Sequence, residues 1–307
     1  MAREETRDLG LAGCAFALGA FTLWGVLPAY WKALGNVAPP EILAHRVVWS
    51  LLFTLAIAAA MGRLPELRAA LATRRNRLAL FASGILIAAN WGMFIWSVSV
   101  GRLVEASFGY YINPLVNVAL GVLLLGERLS GLQRIAIGVA ALGVLALGVG
   151  TGATPWLPLA LAATFGLYGL VRKLTPVSSL AGFSVETSML APLALGYLLV
   201  LGDSGAGQLA VTDLRTSVLL IFSGVVTALP LIWFASAAKR LSFSTLGILQ
   251  YLSPTLSFLL AVGVYGEPFS EFHAFAFACV WVAVGLYSVD LLRGGAAAPV
   301  EVADAGP

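Results

Sequence analysis

The sequence predicts an all-α membrane protein of ten transmembrane helices, arranged as two five-helix repeats of inverted topology. Three observations lead to this fold class: an apolar composition, ten long apolar runs, and a set of motifs that recurs about 140 residues later. Of the 307 residues, 60% are hydrophobic and only 11% are charged, whereas a soluble domain carries about 25% charged residues. A soluble chain of this length could not cover so much apolar surface with polar groups.

Each apolar run is long enough to cross a membrane, because a bilayer core of about 30 Å needs about 20 helical residues. The runs lack the alternation of apolar and polar residues that marks a membrane strand, and alanine, leucine and glycine dominate them. They predict helices over residues 11–31, 44–61, 78–100, 106–125, 132–149, 156–171, 180–201, 218–238, 245–265 and 272–292. Residues 294–307 are small and polar and predict a disordered tail.

The charged residues predict the orientation and exclude several classes of partner. With ten helices and a cytoplasmic N-terminus, 14 of the 18 lysines and arginines fall on the cytoplasmic side, as positively charged loops do. Both termini and the tail are therefore predicted to be cytoplasmic. The net charge of +3 forms no long basic face, so nucleic acid is not a predicted partner. Cys14 and Cys279 lie far apart in apolar runs, and neither a metal nor a cofactor is predicted.

An internal repeat divides the chain into residues 1–150 and 151–293. Because each half crosses the membrane five times, the second half enters from the side opposite to the first, which is typical of secondary transporters. The alternative is a duplication that merely fills a membrane bundle. At an offset of 140, Tyr111, Pro114, Gly126, Glu127 and Ser130 recur as Tyr251, Pro254, Gly266, Glu267 and Ser270, and Ser83-Gly84 as Ser223-Gly224; at 141, Trp24-Gly25 matches Phe165-Gly166, and Lys32 matches Lys173.

Polar and aromatic side chains within the runs are the candidates for a substrate site, since such groups are costly in lipid. Aromatic and amide groups suit a cavity that binds organic molecules by stacking and directional hydrogen bonds. Two alternatives stay open: the asparagines and tyrosines bridge helices, and Arg46 anchors the chain at the membrane surface. The predicted substrate-binding residues are Trp24, Tyr30, His45, Arg46, Asn90, Trp91, Tyr110, Tyr111, Asn113, Gln250 and Tyr251.

Coupling and gating are predicted for His45, Glu186, Pro114 and Pro254. His45 has a side chain that titrates near neutral pH, and its counterpart at the 141 offset, Glu186, is the only carboxylate well inside a run. In inverted halves these two residues would mark two gates or form a proton-coupling pair. The alternative for Glu186 is a hydrogen-bonded structural role. The two prolines predict kinks at which helices can hinge.

Several motifs resemble the RarD proteins of the EamA family, in the drug/metabolite transporter superfamily. They are LWGVLP at 23–28, YWK at 30–32, EILAHR at 41–46, NW at 90–91, YINPL at 111–115, GERL at 126–129, STLG at 244–247, QY at 250–251 and GEPF at 266–269. The likeness spans residues 10–292 and implies paired EamA repeats in a bacterial plasma membrane. It implies export of small organic metabolites or drugs by alternating access. The first helix lacks the carboxylate through which some small relatives couple to protons, so that mechanism does not carry over.

The expected partners are a small organic solute and the lipid bilayer. Coupling to a proton gradient and the choice between monomer and homodimer stay open. The alternatives are an integral-membrane enzyme and a non-transporting receptor or assembly factor. The sequence has no HExxH motif, no P-loop and no close acidic pair inside a run, so no enzymatic activity is predicted. A receptor would not require inverted halves.

Overall fold

The structure is a computed structural model that describes residues 2–100, 102–151, 156–205, 207, 214–266 and 270–293. These residues are almost entirely helical and contain no strand. Segments of the helices form ten apolar spans, each long enough to cross a membrane, which confirms the predicted number. The helices are α1 (Ala2–Lys32), α2 (Pro39–Ala60), α3 (Leu64–Ala70), α4 (Arg74–Ser99), α5 (Leu103–Leu125), α6 (Gly131–Thr151), α7 (Trp156–Leu174), α8 (Ser179–Asp203), α9 (Leu214–Arg240), α10 (Phe243–Gln250), α11 (Leu252–Gly263) and α12 (Glu271–Leu292).

The predicted ninth span over 245–265 is present as the apolar span Phe243–Leu260, and it is divided at Tyr251 into α10 and α11. Pro254 lies in the first turn of α11 and has no N–H to donate to the carbonyl of Gln250. Its counterpart Pro114 lies inside the continuous helix α5. The two repeated prolines therefore have different effects on their helices.

Helix boundaries also differ from the prediction in two places. Helix α1 begins at Ala2, so the charged N-terminal residues extend the first helix instead of preceding it. Helix α2 begins at Pro39 instead of residue 44, with its two prolines in the first turn, where a missing N–H costs no helical hydrogen bond. The short helix α3 was not predicted.

The repeated Gly-Glu-x-x-Ser motif connects consecutive spans in both halves, with a glycine of positive φ before the turn and a serine that accepts a backbone N–H after it. Gly126 ends α5 with a φ of 67°, and Gly266 has a φ of 63°, a conformation that glycine adopts without a side-chain clash. Ser130 and Gln133 cap α6 reciprocally, each side chain accepting a backbone N–H at 3.1 Å. Ser270 accepts the N–H of residue 273 in the equivalent turn before α12. Glu267 lies outside the described residues, as does the predicted tail.

Most helix packing joins the first half to the second. Helix α1 packs on α9 and α11, α2 on α8 and α9, α4 on α7, and α5 on α7 and α10, while α6 and α12 pack along each other. Helix α1 of the first half is equivalent to α7 of the second, and α4 is equivalent to α9. The α1–α9 pair therefore corresponds to the α7–α4 pair, and both pairs are in contact. The bundle thus repeats its own contacts.

Three contacts show this repetition at the level of side chains. A Cβ added to Gly25 would lie 2.6 Å from the Cβ of Leu256, and one added to its counterpart Gly166 would lie 2.9 Å from Val116. Val116 and Leu256 are themselves counterparts at the 140 offset. The rings of Trp24 and Phe165, a third repeated pair, contact each other at 5.5 Å. Equivalent side chains of α1 and α7 are therefore in contact with each other.

Candidate functional site

Two ends of the bundle frame the candidate site. The N-terminal end is where α1 begins, α7 ends and α8 begins; the opposite end is where α1 ends and α2 begins. Most of the predicted site residues lie between these ends, but the structure separates them into several clusters.

Arg46 is the centre of the first cluster. It lies seven residues into α2 from Pro39, about 10 Å along the helix from the opposite end. Its Nε donates to Thr227 Oγ1 at 3.0 Å, and the guanidinium carbon is 4.7 Å from the ring centroid of Trp31 and 5.0 Å from that of Trp91. Four helices, α1, α2, α4 and α9, thus meet at one arginine.

Two tyrosines complete the surroundings of this arginine. The hydroxyls of Tyr30 and Tyr110 are within electrostatic range of Arg46. Tyr30 donates to the carbonyl of Leu219, which ties α1 to α9. Tyr110 is 48% exposed, and its ring contacts Phe94 at 6.2 Å. We call Tyr30, Trp31, Arg46, Trp91 and Tyr110 the arginine chamber.

His45 points away from this chamber. It is 3% exposed and its Nδ1 accepts from Trp49 Nε1 at 3.3 Å. Its Nε2 is 3.9 Å from the carboxylate of Glu41, which is also buried. Arg46 and His45 are neighbours in sequence, so a helix necessarily turns their side chains by about 100° from each other.

An aromatic layer lies on the N-terminal side of the chamber. Trp24 contacts Phe21 at 5.9 Å and Phe234 at 5.7 Å. Phe234 in turn contacts Phe165 at 5.1 Å and stacks on Tyr168 at 6.4 Å. We call these five residues the aromatic layer; Trp24, predicted to bind substrate, belongs to it and not to the surroundings of Arg46.

Asn90 joins two helices, which is the bridging role that the sequence left open. Its amide nitrogen donates to the carbonyl of Leu161 at 2.8 Å and to Thr164 Oγ1 at 3.0 Å, tying α4 to α7. The Asn90 amide is therefore bonded to α7, whereas the neighbouring Trp91 contacts Arg46.

The remaining predicted residues lie where α5 meets the broken helix. Asn117 donates to Gln250 Oε1 at 2.7 Å, and Tyr111 packs its ring against Phe277 of α12 at 6.0 Å. Asn113 is buried, and Tyr251 is buried in an apolar cluster with residues of α6 and α12. Within the described residues, Asn113 Oδ1 and the Tyr251 hydroxyl have no hydrogen-bond partner.

Glu186 is the centre of a buried polar cluster nearer the N-terminal end. Ser83 donates to its Oε1 at 2.5 Å and Tyr168 to its Oε2 at 3.3 Å. Arg172, with a side chain that is 0% exposed, places Nη1 at 3.6 Å from Oε1. A Cβ at Gly182 would lie 1.8 Å from that nitrogen, so only glycine leaves room for the guanidinium. This cluster ties together α4, α7 and α8.

Further polar contacts close the N-terminal end. The Glu127 carboxylate accepts the N–H groups of Phe243 at 2.5 Å and Ser244 at 2.9 Å, and the Ser244 hydroxyl at 2.6 Å. Lys173 donates to the carbonyls of Ala238 and Leu241 at 2.8 and 2.6 Å. These contacts, which we call the N-terminal latch, tie α5 to α10 and α7 to α9.

One helix pair that packs at the N-terminal end has no packed counterpart at the opposite end within the described residues. Helices α7 and α9 pack together, but their counterparts α1 and α4 do not pack closely on each other. The exposed Lys32 is the counterpart of Lys173, and its amine lies over the ring of Tyr265, 3.6 Å from the centroid. Among the described residues, this pair of helices therefore packs at the N-terminal end and its counterpart does not pack at the opposite end.

Several contributing residues escaped the sequence analysis. Trp31 fits an aromatic belt at a membrane surface, and its contact with Arg46 depends on tertiary packing. Arg172 counted among the cytoplasmic charges of a loop, yet it is fully buried. Glu127 and Lys173 could have been singled out from the sequence, because both belong to the repeated motifs.

Known proteins resemble this chain along nearly its whole length. Residues 11–149 match the EamA-like transporter family. The chain is 45% identical over 292 residues to an uncharacterized transporter of Vibrio cholerae, covering 93% of this chain and 95% of the relative. It is 44% identical to the uncharacterized transporter YojE of Bacillus subtilis, covering 95% and 97%.

Two further comparisons extend this result. The chain is 41% identical over 292 residues to the protein RarD of Escherichia coli K12, covering 95% of this chain and 97% of the relative. A crystal structure that is 21% identical in sequence superposes with a TM-score of 0.70, covering 92% of this chain and 98% of the other, which supports the fold. The chain belongs to the EamA-like transporter family and is a RarD-like member of it.

Proposed function

We propose that the protein is a secondary transporter that exports small organic solutes across a bacterial plasma membrane by alternating access. The observation that carries this proposal is the difference between two equivalent helix pairs, one at each end of the bundle. Helices α7 and α9 pack together at the N-terminal end, whereas their counterparts α1 and α4 do not pack closely in the part of the chain that the structure describes. Two related halves that exchange these arrangements would expose one chamber to each side in turn.

The halves are proposed to be inverted relative to each other, with an N-terminal end that faces the cytoplasm. Five spans in each half require the second half to run in the opposite sense, and the paired contacts of Gly25 and Gly166 support a twofold relation between them. The lysines and arginines concentrate at the N-terminal end, which supports a cytoplasmic location for that end.

Glu186 and His45 are proposed to belong to the two gates. Glu186 lies in the closed N-terminal half, where Arg172 and Tyr168 bind it, and His45 lies with Glu41 nearer the opposite end. If Glu186 also carries a coupled proton, the Glu186→Gln variant will lose the pH dependence of transport. Unchanged pH dependence would restrict Glu186 to a structural role.

Solute flux in proteoliposomes tests the proposal. Purified protein is expected to accelerate exchange of labelled organic solutes across a sealed membrane, with no chemical change to the solute. The same screen, repeated after the proton gradient is collapsed, reports whether transport depends on it. Chemical conversion of the solute would indicate an enzyme, and specific binding without flux would indicate a receptor.

A further inference from the structure

Arg46 lies inside a membrane span without a counter-charge in the described part of the chain. Among the described residues no carboxylate contacts it, and the phenols of Tyr30 and Tyr110 lie near it. The nearby carboxylate of Glu41 lies beside His45, and Glu186 on the adjacent helix α8 pairs with Arg172. An arginine inside a membrane normally has a partner, since an unpaired charge there costs several kcal/mol.

The two terminal nitrogens of the Arg46 guanidinium present hydrogen-bond donors side by side, like the two prongs of a fork. Nε is occupied by Thr227 at 3.0 Å, while the two terminal nitrogens make no hydrogen bond within the described residues. The hydroxyl of Thr227 fixes the plane of the guanidinium from one side. A guanidinium held in this way presents parallel N–H groups that match the two oxygens of a carboxylate.

The walls of the chamber are aromatic. Trp31 and Trp91 lie on the guanidinium at 4.7 and 5.0 Å, and Tyr110 has 48% of its surface exposed beside them. Such rings bind planar organic groups by stacking and edge contacts of about 0.5–1.5 kcal/mol each, beyond their burial. A single fixed positive charge matches one negative charge, so a doubly charged phosphate would stay half compensated.

We infer that the chamber recognises a small organic monoanion, a carboxylate with a planar or aromatic body, through the terminal nitrogens of Arg46. This inference deepens the proposed function, because it rests on the chamber being the transport site. The anion would supply the counter-charge that the described residues do not provide. Neutral molecules of the same shape would leave the arginine uncompensated and bind more weakly.

Matched pairs of ligands test the inference on the purified full-length protein in detergent. Benzoate and indole-3-acetate are compared with benzamide and indole-3-acetamide, using quenching of tryptophan fluorescence to measure the affinity. Each carboxylate is expected to bind at least tenfold more tightly than its amide. Equal affinity for both members of the pairs, or no binding of either carboxylate, would overturn the inference.

Variants at two arginines locate the effect. Arg46→Gln is expected to abolish the preference for carboxylates, and Arg46→Lys to reduce it, because lysine keeps the charge and loses the fork. Arg102→Gln is the control, since Arg102 also lies near two indoles, Trp96 at 5.7 Å and Trp156 at 5.4 Å, at the start of α5. The assignment of the anion site to Arg46 would be contradicted if Arg46→Gln kept the full preference for carboxylates over amides, or if Arg102→Gln lost it.

A third variant covers the case in which Arg46→Gln does not fold. Thr227→Val removes the acceptor that orients the guanidinium and is expected to weaken carboxylate binding several-fold without changing amide binding. Because these assays measure binding, they are independent of flux. Carboxylate binding without flux would refute transport but support the anion site. Flux of neutral solutes that is unchanged by substitution of Arg46 would support transport but refute the anion site.

Discussion

Replacement of Glu186 by alanine is expected to lower the free energy of unfolding by about 3–5 kcal/mol, because the buried Arg172 then loses its counter-charge. Both side chains are almost completely shielded from solvent. The guanidinium would keep only weak contacts with the carbonyls of Ser178 and Ser179 at 3.4 and 3.3 Å. Thermal or denaturant unfolding in detergent micelles measures the loss.

The Arg63–Glu66 pair provides the matched control for this prediction. Glu66 is also bound by an arginine near the N-terminal end, with Nε and Oε1 at 2.5 Å, but its side chain is 40% exposed. The hydrogen bond from Arg63, followed by that from Ser178, lowers the pKa of the Glu66 carboxyl. Exposed pairs contribute about 0–1 kcal/mol, so Glu66→Ala is expected to change stability little. Equal losses in both variants would contradict the buried pairing.

Two other variants separate charge from packing at the same site. Gly182→Ala should also destabilise the protein, because its Cβ would lie 1.8 Å from Arg172 Nη1. The double variant Glu186→Leu with Arg172→Met removes both charges and is expected to recover part of the stability lost in Glu186→Ala. No recovery would mean that the carboxylate acts mainly through Ser83 and Tyr168.

Replacement of Glu127 by alanine is expected to shift the protein from the closed to the open state at the N-terminal end by at least tenfold. The carboxylate accepts three hydrogen bonds from the start of α10, and bonds to a charged group contribute about 1.5–3 kcal/mol each. Transport is expected to become slow, because one of the two states is depleted. The rate of solute exchange in proteoliposomes measures this change.

Glu271 gives the control for the latch variant. It is a glutamate in the first turn of α12, exposed at the opposite end of the bundle. Glu271→Ala should leave the exchange rate within about twofold of the unmodified protein, as surface substitutions usually have small effects. An exchange rate in Glu127→Ala that equals this control would remove Glu127 from the latch.

The sequence predicts the membrane spans well because the bilayer imposes a simple requirement on composition and length. It predicts the ends of helices less well, since helix α1 continues beyond the apolar run through the charged N-terminal residues. The break at Tyr251 had a signal in Pro254, but the same signal at Pro114 produced no break. Packing against neighbouring helices decides between these outcomes.

The candidate site was harder to derive from the sequence than the fold. Residues that face lipid and residues that face the bundle are equally apolar, so periodicity does not separate them. Trp31 and Trp91 show the problem: both contact Arg46, yet position in the run favours a membrane belt for Trp31. Polar residues such as Asn90 were detected by their type, but only the structure shows that its amide bridges α4 and α7.

Alternating access is tested most directly by thiol labelling from each side of the membrane. Tyr110→Cys places a thiol in the arginine chamber. Thr187→Cys places a thiol in the N-terminal half, where the buried Thr187 is the counterpart of Arg46 at the 141 offset. Cys14 and Cys279 are first replaced by alanine, since both are free thiols.

With an impermeant reagent, Tyr110→Cys is expected to react only from the external side, and Thr187→Cys to be protected. Adding Glu127→Ala should protect Tyr110→Cys and expose Thr187→Cys to the cytoplasmic side. Reaction at both positions in one state, or labelling that the latch variant leaves unchanged, would contradict a single chamber that opens to the two sides in turn.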